Sequence, residues 1–142
     1  MKSLLIYFST FVLVFLLACN DDTEPIDNGN KNNLSYSWQV NASITNNNDF
    51  TYGPFIIRTT SNNDSINIHD EGKFWNFQGS VALNSENMTF ESASSINTRS
   101  SVGAKFRVFN GQILGSDSIA FNIQFENDET PYGITYNIKG RR

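Results

Sequence analysis

The sequence predicts an all-β protein, a small antiparallel up-and-down barrel of eight or nine short strands. Three observations carry that expectation. Apolar and polar residues alternate with a period of two over long stretches, the breaks between them are short and rich in Asn, Asp, Ser and Gly, and no window supports a helix of useful length. The pattern occupies residues 35–142 of a 142-residue chain, which leaves room for one core.

The first strand is the clearest. Tyr36, Trp38, Val40, Ala42 and Ile44 fall on one side, with Ser35, Ser37, Gln39, Asn41, Ser43 and Thr45 on the other. Shorter runs follow at residues 55–59 and 65–69, and then Trp75, Phe77, Gly79, Val81 and Leu83 restore the alternation. Residues 88–91 read as a further strand. The next set is Val102, Ala104, Phe106 and Val108, then residues 113–114, then Ile119, Phe121, Ile123 and Phe125, and finally residues 134–138. Each strand has one wet face, so sequential antiparallel pairing over a shared interior is expected.

The breaks at residues 46–49, 61–64, 70–72 and 84–87 read as turns. Asn110-Gly111 is the strongest hairpin signal, because both central residues of a type I′ turn need positive φ. Residues 92–101, rich in serine, are expected to form a loop. Connections this short favour a meander whose first and last strands pair, leaving no exposed sheet edge. A β-sandwich is the alternative arrangement.

Residues 1–34 do not belong to that barrel. Lys2 precedes an apolar run over residues 4–17 that ends at Ala18-Cys19, the shape of a secretory signal peptide. Fourteen residues at about 1.5 Å rise reach about 21 Å, short of the roughly 30 Å core of a bilayer. Leu16-Leu17-Ala18-Cys19 matches the lipobox at which bacterial lipoproteins are acylated on cysteine and cleaved before it. Residues 1–18 are therefore read as a lipoprotein signal peptide, Cys19 as a lipidated membrane anchor, and residues 19–34 as a polar flexible tether. The expected location is the outer membrane of the cell envelope, facing the periplasm or the cell surface.

Charge and composition exclude other classes. With 14 acidic and 10 basic residues the chain lacks the basic footprint of a nucleic-acid binder. Cys19, the single cysteine, rules out an internal disulfide framework and a thiolate-rich metal site. No metal site and no cofactor are expected. His69, the single histidine, lies on the strand face opposite Ile66 and Ile68, so Asp70 beside it points away and cannot readily orient its ring. There is no Gly-x-Ser-x-Gly elbow. Asp64-Ser65-Ile66 and Asp117-Ser118-Ile119 match an Asp-Ser/Thr-aliphatic glycan acceptor pattern, which marks Ser65 and Ser118 as candidate glycosylation sites.

Residues 74–77 (Phe-Trp-Asn-Phe), 110–114 (Asn-Gly-Gln-Ile-Leu), 117–121 (Asp-Ser-Ile-Ala-Phe) and 132–142 resemble, in order and spacing, blocks of the small Bacteroidetes lipoproteins known as lipid-binding putative hydrolases. The resemblance implies a calycin-like barrel on a lipidated tether, with an apolar ligand. It also implies that a C-terminal basic residue, Arg141 or Arg142, covers Trp38. Tyr36 departs from the pattern, standing where calycins carry glycine before that tryptophan.

The sequence is thus read as a membrane-anchored lipoprotein whose barrel binds a lipid or other hydrophobic small molecule without catalysis. The inward-facing rings of Trp38, Tyr52, Phe55, Trp75, Phe77, Phe106, Phe121 and Tyr136 are the candidate ligand-binding residues. A lipid or ester hydrolase and a structural or adhesion module with a filled barrel are the two alternatives.

Overall fold

The computed structural model describes residues 35–142; the expected signal peptide, Cys19 and the expected tether lie outside the described residues. Eight strands follow in order: β1 (Ser35–Ile44), β2 (Asn47–Asn62), β3 (Ser65–Asp70), β4 (Gln78–Asn84), β5 (Thr89–Ile96), β6 (Lys105–Leu114), β7 (Ser118–Phe125) and β8 (Tyr136–Arg141). Each pairs antiparallel with the next, and β8 pairs back onto β1 from Gln39↔Arg141 to Ile44↔Tyr136. The sheet is a closed barrel, so the sandwich alternative falls. Among the described residues there is no helix.

The period-two pattern dictates the walls. In β7, Ile119, Phe121, Ile123 and Phe125 are buried while the residues between them are partly exposed, and β4 and β6 alternate likewise. The interior is filled by Trp38, Val40, Ile57, Ile68, Phe77, Phe106, Ile123 and Ile138, among others, each fully shielded from solvent. Outside, side-chain amides form a polar row across β6, β7 and β8: Asn110 donates to Asn122 at 3.2 Å, Asn122 to Asn137, and Asn137 to Thr45 at 3.0 Å.

Four local expectations need correction. Asn110-Gly111 is no hairpin: it lies inside β6, with Asn110 at φ 54° and the β6–β7 register slipping between Phe109 and Gln112. It is a bulge, and packing explains the glycine, because a side chain at Gly111 would collide with the ring and carbonyl of Phe90. Residues 92–96 belong to β5, and the loop runs over residues 97–104. Val102 sits in that loop, 84% exposed, so the alternation it shares with β6 is accidental. Phe74, Trp75, Asn76 and Phe77 precede β4 rather than opening it.

The meander gives the barrel two ends. β1 begins and β8 finishes at the terminal end, beside the short turns at residues 63–64, 85–88 and 115–117. The loop end carries the β1–β2 turn and three longer connections at residues 71–77, 97–104 and 126–135.

Candidate functional site

The loop end is organised by one buried carboxylate. Asp70, the last residue of β3, is fully shielded, and its Oδ1 accepts the Lys73 N–H at 3.1 Å. Its Oδ2 accepts those of Phe74 (3.1 Å), Trp75 (2.8 Å) and Asn76 (2.8 Å). Such convergent amides satisfy a charge that would otherwise be costly to bury. Gly72 and Asn76, at φ 79° and 49°, turn the chain back on itself around that carboxylate. Asn97 ties the neighbouring loop to the same place: its Oδ1 accepts the N–H groups of Gln78 (3.1 Å) and Arg99 (3.0 Å).

The fold of the 71–77 loop packs two rings against the rings of the barrel mouth. Phe74 stacks on Phe55 with centroids 5.0 Å apart, and lies 5.2 Å from Tyr136 and 5.5 Å from Tyr52. Trp75 stacks on Phe125 at 4.5 Å. Deeper, Phe125 meets Phe77 at 5.5 Å, and Phe77 meets Phe106 at 5.4 Å. Outward, Tyr52 meets Phe50 at 5.4 Å. A continuous column of rings thus runs from Phe50, 50% exposed, and Tyr52, 39% exposed, down to the fully buried Phe106.

One polar pair faces this column. The buried Tyr136 donates its hydroxyl to Asp128 Oδ2 at 3.0 Å. Burial, then the Asp128 acceptor and its charge, hold the Tyr136 hydroxyl well above the ordinary tyrosine range. The rest of the 126–135 loop is pinned by Tyr132 N–H to the Phe125 carbonyl at 2.8 Å and by Arg107 stacked 3.8 Å over the Tyr132 ring.

Of the residues singled out from sequence, the structure brings Tyr52, Phe55, Trp75 and Tyr136 together at the loop end, with Phe77 and Phe106 beneath them. Phe121 packs elsewhere, against Phe90 at 5.7 Å. Trp38 lies toward the terminal end, fully buried, its indole N–H donated to Thr59 Oγ1 at 2.9 Å. The expected arginine over Trp38 is absent: Arg142 lies 4.5 Å over the Tyr36 ring instead, and Tyr36 meets Trp38 edge-on at 5.4 Å. Tyr36, in place of glycine, intercepts the cation. Ser65 and Ser118 open β3 and β7 at the terminal end, half-buried, with hydroxyls donated to the Asn62 carbonyl (3.2 Å) and Asp117 Oδ1 (3.0 Å). Cys19 lies outside the described residues.

Sequence reasoning placed Phe125 on the inward face but missed Phe74, Asp70 and Asp128 as members of this end. The signal for Asp70 was legible: an Asp followed by a Gly-containing stretch of backbone donors is an Asx-type loop organiser.

His69 has no part in this end. It faces the outer wall between Arg58 on β2 and Gln78 on β4, and its Nε2 is buried with no hydrogen-bond partner. Among the described residues, no three His, Cys, Asp or Glu side chains are placed to hold a metal ion. Two adjoining open grooves of about 620 and 510 Å3 cross the outer wall of β4–β6, lined by polar residues such as Asn84, Glu91 and Gln112 and, in the second, by Arg107 and Phe109.

A closed eight-stranded antiparallel barrel with an aromatic mouth under a hydrogen-bonded loop defines a calycin-like β-barrel protein. The sequence model of the family described as lipid-binding putative hydrolase matches residues 24–142, and the chain belongs to that family. No curated protein matches the chain.

Proposed function

We propose that this protein is a lipid-anchored component of the bacterial outer membrane that takes up a lipid-like molecule at the loop end of its barrel and does no chemistry on it. The observation that carries the reading is the ring column from Phe50 to Phe106, two of whose members, Phe74 and Trp75, belong to a loop and not to a strand. The rings of a strand are fixed by its ladder. Those of Phe74 and Trp75 can leave while Asp70 keeps its hold on the loop backbone. An acyl chain entering there replaces ring by chain, apolar for apolar.

The magnitudes permit it. Enclosing about 300 Å2 of an acyl chain, at about 25 cal/mol per Å2, contributes up to about 7.5 kcal/mol gross. Giving up a pair of aromatic contacts costs about 0.5–1.5 kcal/mol each. Cys19, acylated on its thiol before residues 1–18 are cleaved away, anchors the protein through lipid alone. Loss of Lys2 leaves 9 basic against 14 acidic residues, so anionic headgroups add no attraction.

Hydrolysis draws no support from this geometry. Asp70 spends both carboxylate oxygens on backbone amides inside the barrel while His69 faces out, so the two form no acid–base pair. The well-filled interior favours a second reading, a structural or adhesion module. Native mass spectrometry of the chain from Asn20 onward, incubated with 1-oleoylglycerol, separates them. One lipid per chain, with Trp emission that shifts in the native protein and not in Trp75→Phe, is the expected result. A lipid-free mass at saturating lipid overturns the proposal in favour of the module.

A further inference from the structure

We propose that the ligand taken up at the loop end has a head that donates hydrogen bonds, a hydroxyl or a protonated amine, and that carboxylate and phosphate heads are rejected. This rests on the preceding reading of the site and adds the chemical class of its ligand.

Two features support the inference. First, the interior offers an anion nothing. Among the described residues the buried polar groups are Thr59, Ser61, Asp70, Ser95 and Asn97, together with the Tyr136 hydroxyl; the only charged one is Asp70, and no Lys, Arg or His is among these buried residues, His69 lying on the outer wall. The cations near the loop end are engaged or face outward. Arg58 pairs with Glu71, Lys73 is exposed in the same loop and near enough to Glu71 to stabilise its charge, and Arg99 bonds Asn76 and Gln78 at 3.3 Å. Arg107 covers Tyr132, and Lys105 lies exposed on β6.

Second, the polar group at the mouth is itself an anion. Asp128 is half-buried, takes the Tyr136 hydroxyl on Oδ2 and the Glu129 N–H on Oδ1 at 2.8 Å, and each of those oxygens keeps a lone pair free. A hydroxyl or ammonium can donate to it. The faces of Tyr52, Trp75 and Tyr136 also attract a cation and repel an anion. A carboxylate head would have to sit beside Asp128, desolvated and unpaired.

The experiment holds the chain constant and varies the head: 1-oleoylglycerol, oleylamine, oleate and 1-oleoyl lysophosphatidate, titrated at pH 8.5 by displacement of a fluorescent acyl probe. The alcohol and the amine should bind at least about tenfold more tightly than the two anions, the factor that one unit of like-charge discrimination represents. Asp128→Asn should abolish the preference for the amine and improve oleate binding, and Lys73→Ala should change neither. Oleate binding as tightly as 1-oleoylglycerol, or an unchanged ranking in Asp128→Asn, overturns the inference and leaves lipid uptake standing. Failure of all four to bind overturns both.

Discussion

The two ends of the barrel are closed by aromatic residues in opposite ways. At the terminal end the ring is Trp38, which belongs to a strand, is sealed from solvent and has its indole N–H satisfied by Thr59. Above it, Tyr36 and Arg142 form an outer layer that is partly wet. At the loop end the closing rings are Phe74 and Trp75, which belong to a loop, remain partly exposed, and are positioned through four hydrogen bonds to a carboxylate. One end is held by packing and a ladder, the other by a polar hub. A packed ring can be removed only at the cost of a cavity, whereas a ring on a hub can be exchanged for a ligand of similar polarity.

Truncating one tryptophan at each end tests that contrast most severely. Trp38→Ala empties a fully buried site and should cost about 3–5 kcal/mol of stability, whereas Trp75→Ala, half-buried, should cost about 1–2 kcal/mol. Denaturant unfolding followed by circular dichroism reads both. Equal losses would break the comparison, since the loop end would then be as much core as the terminal end.

Removing the hub comes next. Asp70→Ala leaves four amides without their acceptor and should cost about 2–4 kcal/mol, less than four separate bonds because the loop can relax into water. Amide exchange sharpens the point. The N–H groups of Lys73, Phe74, Trp75 and Asn76 should exchange at least about tenfold faster in the variant, while those of β1 and β8 keep their relative protection.

The strands were legible because their signal is local. A period of two over β1, β6 and β7 places side chains on faces whatever the rest of the chain does. The loop end was less so, because its order depends on contacts across the sequence. Phe74 to Phe77 look like the start of a strand until Asp70 draws the backbone amides of Phe74, Trp75 and Asn76 to itself. Asn110-Gly111 looks like a hairpin until Phe90, some twenty residues earlier, needs the space a side chain would fill. The pairing of Asp128 with Tyr136 was hidden for a different reason: an acidic hairpin is solvated by default, and only closure of β7 and β8 brings a buried hydroxyl to it.

That pairing gives a smaller, pH-dependent effect. The folded protein holds the Tyr136 proton where an unfolded chain has lost it, so its contribution is complete below the ordinary tyrosine value of about 10 and declines as the pH rises beyond it. Thermal unfolding should show stability falling between about pH 10 and 11. Tyr136→Phe should cost about 1 kcal/mol at pH 8 and flatten the decline, and an equally steep decline in the variant would place its origin elsewhere.

The smallest effect belongs to the outer layer of the terminal end. Arg142 is exposed and lies over a partly exposed Tyr36, and in water a cation–π contact contributes about 0.5 kcal/mol. Its backbone N–H, bonded to the Asp117 carbonyl at 3.0 Å, is untouched by a side-chain change. Arg142→Ala should therefore cost no more than about 0.5 kcal/mol, and a double-mutant cycle with Tyr36→Ala should return a coupling of that size. A coupling of about 2 kcal/mol would mean that the guanidinium is desolvated and seals the barrel, making the terminal end dependent on its outer layer. A coupling near zero leaves Trp38 and its ladder as the whole of the closure, and the contrast between the ends is then at its sharpest.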